Sequence, residues 1–194
     1  WPKYDYQIEK ERAGSYQIEV LAKSKEHEVP ITLRFQELRD EQMQPAHGEL
    51  PFFLQENTVI QFLQYPYEQV VAENFVEILE KMELINDLSC YEEIYGILKK
   101  EALDGRKVEQ QIIEIGTKRE LFFGKDRLDT VLHYKYYTYM KRKWTAYLKR
   151  ERKKEPDWVE VMTLLEAFFP PVWRAIIRDE IFIGDWMPEL CRFL

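Results

Sequence analysis

The side chains able to do chemistry gather in one stretch, Tyr65 to Leu98 (YPYEQVVAENFVEILEKMELINDLSCYEEIYGIL). Glu68, Glu73 and Asn74 fall close together in its first half, and Glu92 and Glu93 adjoin in its second. If two helices carry these groups and pack as a hairpin, Glu73, Glu92 and Glu93 meet. Carboxylates brought that close can hold a divalent metal or act as acid and base. The competing account is three solvated acids on helix surfaces, because carboxylates are seldom buried. Other chemistries find less support. His27, His47 and His133 have no metal-ligating neighbour three or four residues on. Cys90 and Cys191 are far apart and lack CxxC spacing, so they read as reduced thiols of a cytoplasmic protein. There is no G-x-S-x-G nucleophile motif, GxxxxGK[ST] phosphate loop or GxGxxG turn.

A second set of candidates is cationic. The run Tyr134-Lys-Tyr-Tyr-Thr-Tyr-Met-Lys-Arg-Lys-Trp144 interleaves rings with positive charge, and Lys149, Arg150, Arg152, Lys153 and Lys154 continue it. Lys135, Lys141, Arg142, Lys143, Lys149 and Arg150 are the candidate nucleic-acid ligands. Cations neutralise phosphates and rings offer faces for bases. Nine bases stand against one acid between His133 and Lys154, a net of +8. The whole chain carries −7, so the rest carries −15. Such asymmetry marks one surface for an anionic partner on an otherwise acidic protein. The plainer account makes Tyr136, Met140 and Trp144 a core stripe whose cations only solvate the outer face.

These groups need elements to position them. The chain has 194 residues, 45% of them apolar and 14% aromatic, enough for a sizeable core. Only 7 Gly and 9 Pro are present, so helices should outweigh loops. No apolar run approaches the about 18 residues that a membrane helix needs. Residues 1–14 read as polar and irregular, ending in the turn signal Ala13-Gly14-Ser15. Tyr16–Ala22 and Pro30–Phe35 alternate apolar and polar side chains, which predicts a hairpin around a charged turn at Ser24–Glu28. Residues 36–50 read as loop, and Thr58–Leu63 as a further β segment. From Pro66 the period becomes helical. Val70, Val71, Phe75, Ile78, Leu79 and Met82 form a stripe. Ser89 with Glu92 spells a capping box for the next helix. Asp104-Gly105 opens a third helix that Gly116 should stop. A long fourth helix is expected from about Asp126 to Arg150. Asp157 with Glu160 caps a fifth, which Pro170-Pro171 should end. A short helix follows over about Val172–Ile181. The apolar tail, Ile181 to Leu194, should dock on the body or on a partner.

In order, these pieces resemble the later two-thirds of the AbiEii-type abortive-infection nucleotidyltransferase family, the toxin half of toxin–antitoxin pairs. The strand Tyr16–Ala22, Val29-Pro30-Ile31-Thr32-Leu33 and the run Thr58-Val59-Ile60 leading to Tyr65-Pro66-Tyr67-Glu68-Gln69-Val70-Val71-Ala72-Glu73 carry the likeness. Tyr91-Glu92-Glu93-Ile94-Tyr95, the Arg119 region, Trp144 and Asp157–Pro170 continue it. The resemblance implies an α/β palm followed by a helical domain. With the elements read above, this chain is expected to be α+β: a small N-terminal β-hairpin or sheet, remnant of the palm, over residues 1–64, then a mostly helical bundle of five to six helices over 65–194. It implies nucleotide transfer from an NTP to an acceptor such as the tRNA 3′ end. An acid-held Mg²⁺ and a lysine would neutralise the triphosphate.

The departures from the family pattern fall on that charge-handling set. The family's lysine after Ala-Glu is Asn74. An Ile-Asp-Ile strand reads Leu33-Arg34-Phe35. Two acids near the second helix align with Cys90 and Glu93, of which only Glu93 is a carboxylate. The chain opens on Trp1, so the Gly-Ser segment and Asp-x-Asp pair would precede it. Glu73, Asn74 and Glu93 are then a degenerate catalytic set with no metal of its own. Mg²⁺ and NTP are expected only if a missing palm segment is supplied. The expected partners are RNA, tRNA among them, and an antitoxin or complementary palm segment, with no membrane association. The alternative is a non-catalytic helical module for protein–protein interaction that uses the apolar tail.

Overall fold

A computed structural model of the chain describes residues 4–12, 15–24, 27–36, 46–51 and 59–194. The fold is α+β, with small antiparallel sheets and, among the described residues, six α-helices. It divides into two compact units, residues 1–44 and 45–194.

The first unit is a three-stranded antiparallel sheet of β1 (Tyr4–Arg12), β2 (Ser15–Ser24) and β3 (His27–Gln36), with β2 central. The alternation in Tyr16–Ala22 and Pro30–Phe35 produces the β2–β3 pair, in the register Ile18 opposite Leu33 and Val20 opposite Ile31. β1 corrects the expectation of irregular structure near the start. Tyr4, Tyr6 and Ile8 recur at the strand period of two among charged residues, and β2 supplies a ladder for them. Charged residues suit β1 as an edge. The expected turns at 13–15 and 24–28 are narrower than predicted, since Ser15, Ser24, His27 and Glu28 belong to the strands. Residues 13–14 and 25–26, and 37–45 of the expected loop, lie outside the described residues.

The second unit opens with a hairpin of β4 (Ala46–Pro51) and β5 (Val59–Gln64). β4 falls within the expected loop. Its partner explains it: the β-favouring segment from Val59 needs a ladder, and Ala46–Pro51 provides one. Helix α1 (Tyr67–Lys81) follows, with Val71, Phe75, Ile78 and Leu79 fully buried along the predicted stripe. A 3-10 turn at Met82–Leu84 leads to α2 (Ser89–Leu98). Then come β6 (Leu103–Asp104) and α3 (Gly105–Lys118). Asp104 starts α3 as predicted, its carboxylate accepting from the Arg106 and Lys107 amides at 3.0 and 3.3 Å. The chain continues through α4 (Lys125–His133), a 3-10 turn at Tyr134–Tyr136, α5 (Thr138–Arg150) and α6 (Trp158–Arg178). Short strands β7 (Asp185–Met187) and β8 (Arg192–Phe193) join β6 in a small sheet.

Four helix expectations are corrected. Ser89 is inside α2 rather than its cap; Asp87 accepts from the Ser89 amide at 3.0 Å, and Glu92 is drawn away to α5. Gly116 does not stop α3. It makes room for Phe123, whose ring would lie 2.5 Å from an added Cβ. The long helix over 126–150 is two helices separated by the turn at 134–136. Finally, α6 runs through Pro170 and Pro171 and absorbs the expected last helix. The carbonyls that lose their amide partners belong to Glu166 and Ala167, both exposed, where water can serve them. Buried side chains on both sides of the prolines, Phe168, Phe169, Val172 and Trp173, hold the two halves in line.

The core joins α1 to α6. Phe75 stacks on Phe169 at a centroid distance of 3.6 Å and meets Trp173 edge-on at 5.8 Å. Trp158 lies between Tyr91 and Trp144, at 5.0 and 5.7 Å. The tail docks on the body. Trp186 is fully buried against Phe168 and Phe193, and its indole N–H donates to the Leu98 carbonyl at 2.8 Å. Ile181, Ile183, Leu190 and Leu194 remain exposed. No described helix is long and apolar enough to cross a membrane.

Candidate functional site

α1 and α2 pack against each other across the turn at 82–84, and this brings Asn74 to Glu93. The Asn74 amide donates from Nδ2 to Glu93 Oε2 at 2.8 Å. Glu73, one residue earlier, is half-buried and engaged in an interaction of its own. Glu68 Oε1 accepts from the Asp104 amide at 3.3 Å, which ties the start of α1 to the start of α3.

Glu92 and Glu93 diverge, since neighbours on a helix point about 100° apart. Glu92 accepts from the Tyr147 hydroxyl at 2.5 Å through Oε2 and from Lys153 at 2.6 Å through Oε1. Burial pushes the Tyr147 hydroxyl pKa up, and the bond to Glu92 adds to the shift. The acids of α2 are therefore divided: Glu93 serves α1 and Glu92 serves α5. Among the described residues no group of three His, Cys, Asp or Glu side chains is placed to hold a metal ion. Cys90 is buried, and that burial raises its thiol pKa far above the ordinary value. Its Sγ lies 3.5 Å from the Asp87 carbonyl.

The six candidate nucleic-acid ligands separate into two groups. Lys135 pairs with Glu166 of α6 at 2.7 Å and is only 15% exposed. Lys143 donates to the Glu83 carbonyl at 3.1 Å and to that of Ile85, closing the end of the 3-10 turn after α1. Arg150 pairs with Glu151 at 2.9 Å and reaches Asp87 at 3.9 Å. These three cations already have partners within the fold. Lys141, Arg142 and Lys149 carry no ion pair among the described residues.

Two of these, Lys141 and Lys149, border a cleft of about 540 Å³ between α5 and the start of α6. Lys141, Lys149, Lys153 and Lys154 rim it, with Trp144 and Trp158 among its lining. Trp144 donates to the Pro156 carbonyl at 2.9 Å and Trp158 to the Tyr134 carbonyl at 2.8 Å, so both indoles are fixed. The lining acid, Asp157, is already occupied as the α6 cap, accepting from the Glu160 amide at 2.8 Å. Lys153 is already paired with Glu92, which leaves three ammonium groups, Lys141, Lys149 and Lys154, beside one committed carboxylate, and that balance favours an anion. Sequence reasoning missed Tyr147, which ties Glu92 to α5. Its position three residues after Trp144, on the same buried face, is the signal that could have found it.

Comparison of the chain with protein-family models, with curated proteins and with solved structures finds no match.

Proposed function

We propose that the chain is a nucleotidyltransferase-like protein of the abortive-infection toxin family in which the transferase site has become a helix–helix clamp, and that it binds RNA through α5. One observation carries the reading. Asn74 and Glu93, at positions where the family resemblance implies a lysine and an acid, are hydrogen-bonded to each other at 2.8 Å. A neutral amide cannot neutralise a triphosphate. A carboxylate committed to that amide, with Cys90 buried beside it, is a poor start for a metal site. The free cations Lys141, Arg142 and Lys149 support retention of an anionic partner. Its expected compartment is the cytoplasm, where RNA is met.

The test is label transfer. The purified chain is incubated with radiolabelled NTPs, Mg²⁺ and tRNA, and acceptor-bound label is measured. The expected outcome is label no higher than in a protein-free control. Robust transfer would overturn the degenerate-site reading while leaving RNA binding intact.

A further inference from the structure

The turn at Tyr134–Tyr136 does more than interrupt a helix. An unbroken helix would place Tyr136 in line with Met140 and Trp144, facing the core. The break instead buries Tyr134, which is 5% exposed, and turns Tyr136 out to 68%. Tyr137 and Tyr139 follow at 46% and 48%. The rings form two pairs: Tyr137 and Tyr139 lie 5.9 Å apart, and Tyr136 lies 6.2 Å from His133. Lys143 lies over Tyr139 at 5.3 Å, which steadies that ring.

The exposed face of α5 then continues from rings to charge. Arg142 stands three residues after Tyr139 and Lys149 seven further on, both exposed, with Lys141 and Lys154 at the rim of the cleft beside them. Tyr139 to Lys149 spans about 15 Å along the helix axis. Exposed rings at one end and unpaired cations along the rest are two different recognition devices in series.

We infer that this surface binds single-stranded RNA, with bases stacked on Tyr136, Tyr137 and Tyr139 and phosphates on Arg142, Lys149 and the cleft lysines. The inference rests on the RNA-binding reading above and specifies the form of the RNA. Cations alone would serve a duplex equally well. Ring faces are useful only to bases that are unstacked, and a duplex hides its base faces. An anionic membrane is the weaker partner, because the exposed rings carry hydroxyls and lack the Trp, Phe and Leu side chains of interfacial helices.

The experiment uses the full chain. Fluorescence anisotropy compares a short labelled oligouridylate with a blunt RNA duplex of equal length, and vesicles rich in phosphatidylserine serve as competitor. Single strand should bind more tightly than duplex. Tyr136→Ala, Tyr137→Ala and Tyr139→Ala should each weaken single-strand binding by about 5-fold or more, leaving duplex binding unchanged. Tyr→Phe at the same positions should restore it. Lys149→Ala should weaken both forms and lower the salt slope by about one. All four side chains are exposed, and unchanged circular dichroism would confirm the fold of each variant. Equal binding of duplex and single strand, or full single-strand binding by the triple tyrosine variant, would overturn the stacking inference and keep the RNA reading. Absence of binding to either RNA would overturn both. Displacement of RNA by the vesicles would overturn the choice of partner.

Discussion

Single residues set how this chain responds to pH. Tyr134 donates its hydroxyl to Glu83 Oε2 at 2.7 Å. That bond, the largest influence on Glu83, holds its carboxyl below the ordinary carboxylate value of 4.5. Burial first, and the Glu83 bond second, push the Tyr134 hydroxyl above the ordinary 10.0. The two shifts act on opposite flanks. A depressed carboxyl stabilises the fold above its unfolded value, and the effect is lost as pH falls through the folded one. A raised hydroxyl stabilises it below its unfolded value, and the effect is lost as pH rises through the folded one. The melting temperature of the wild type should therefore exceed that of Tyr134→Phe most between about pH 5 and pH 9, with the gap narrowing on both sides. Thermal melts across that range check it, and a gap independent of pH would show that the pair contributes only packing. The site residues were only partly legible beforehand. Asn74 and Glu93 stand out through the family resemblance, whereas residue type and helix pairing suggest that Glu73, Glu92 and Glu93 meet; a one-dimensional pattern does not say which way an adjacent pair of acids divides. Tyr147 and Lys153 decide that for Glu92, and they lie 55 and 61 residues away.

At the scale of elements, the readable parts were those in which one face is buried and the other is not. The β2–β3 hairpin followed from strict alternation, and α1 from its stripe. The strand β1 was hidden because its apolar residues are few and separated by charges. The break at 134–136 was hidden because Leu132, Tyr136, Met140 and Trp144 continue a four-residue spacing that suits an unbroken helix equally well. The opposite error occurred at Pro170-Pro171, where the local rule ended a helix that tertiary packing carries through. That conflict yields a stability prediction. Pro170 leaves the Glu166 carbonyl without an amide partner, whereas its neighbours Phe168, Phe169, Val172 and Trp173 are all buried in helical geometry. Pro170→Ala restores the missing donor and removes a ring clash, so it should stabilise the chain by about 1–3 kcal/mol in urea denaturation. A loss of stability would mean that the proline itself is needed to seat Phe169 on Phe75.

At the scale of the whole molecule, the described hydrophobic core lies in one of the two units. Every residue of the described hydrophobic core falls between Val71 and Trp186, inside the unit of residues 45–194. The tail closes that core on itself, since Trp186 from β7 bonds to the Leu98 carbonyl at the end of α2. The unit of residues 1–44 is a single three-stranded sheet, and on its β3 strand Val29 and Ile31 are 53% and 42% exposed. Three strands are the smallest sheet expected to be stable alone. Residues 45–194 made as a separate chain should therefore keep the helical circular dichroism and unfold cooperatively within about 4 °C of the full chain, which corresponds to about 1 kcal/mol for a unit of this size. The proposed RNA surface, Tyr136 to Lys154, lies wholly in that unit, so single-strand affinity should persist as well. A much lower melting temperature would assign the N-terminal sheet a share of the core. Retained stability with lost RNA affinity would instead assign the sheet part of the binding surface.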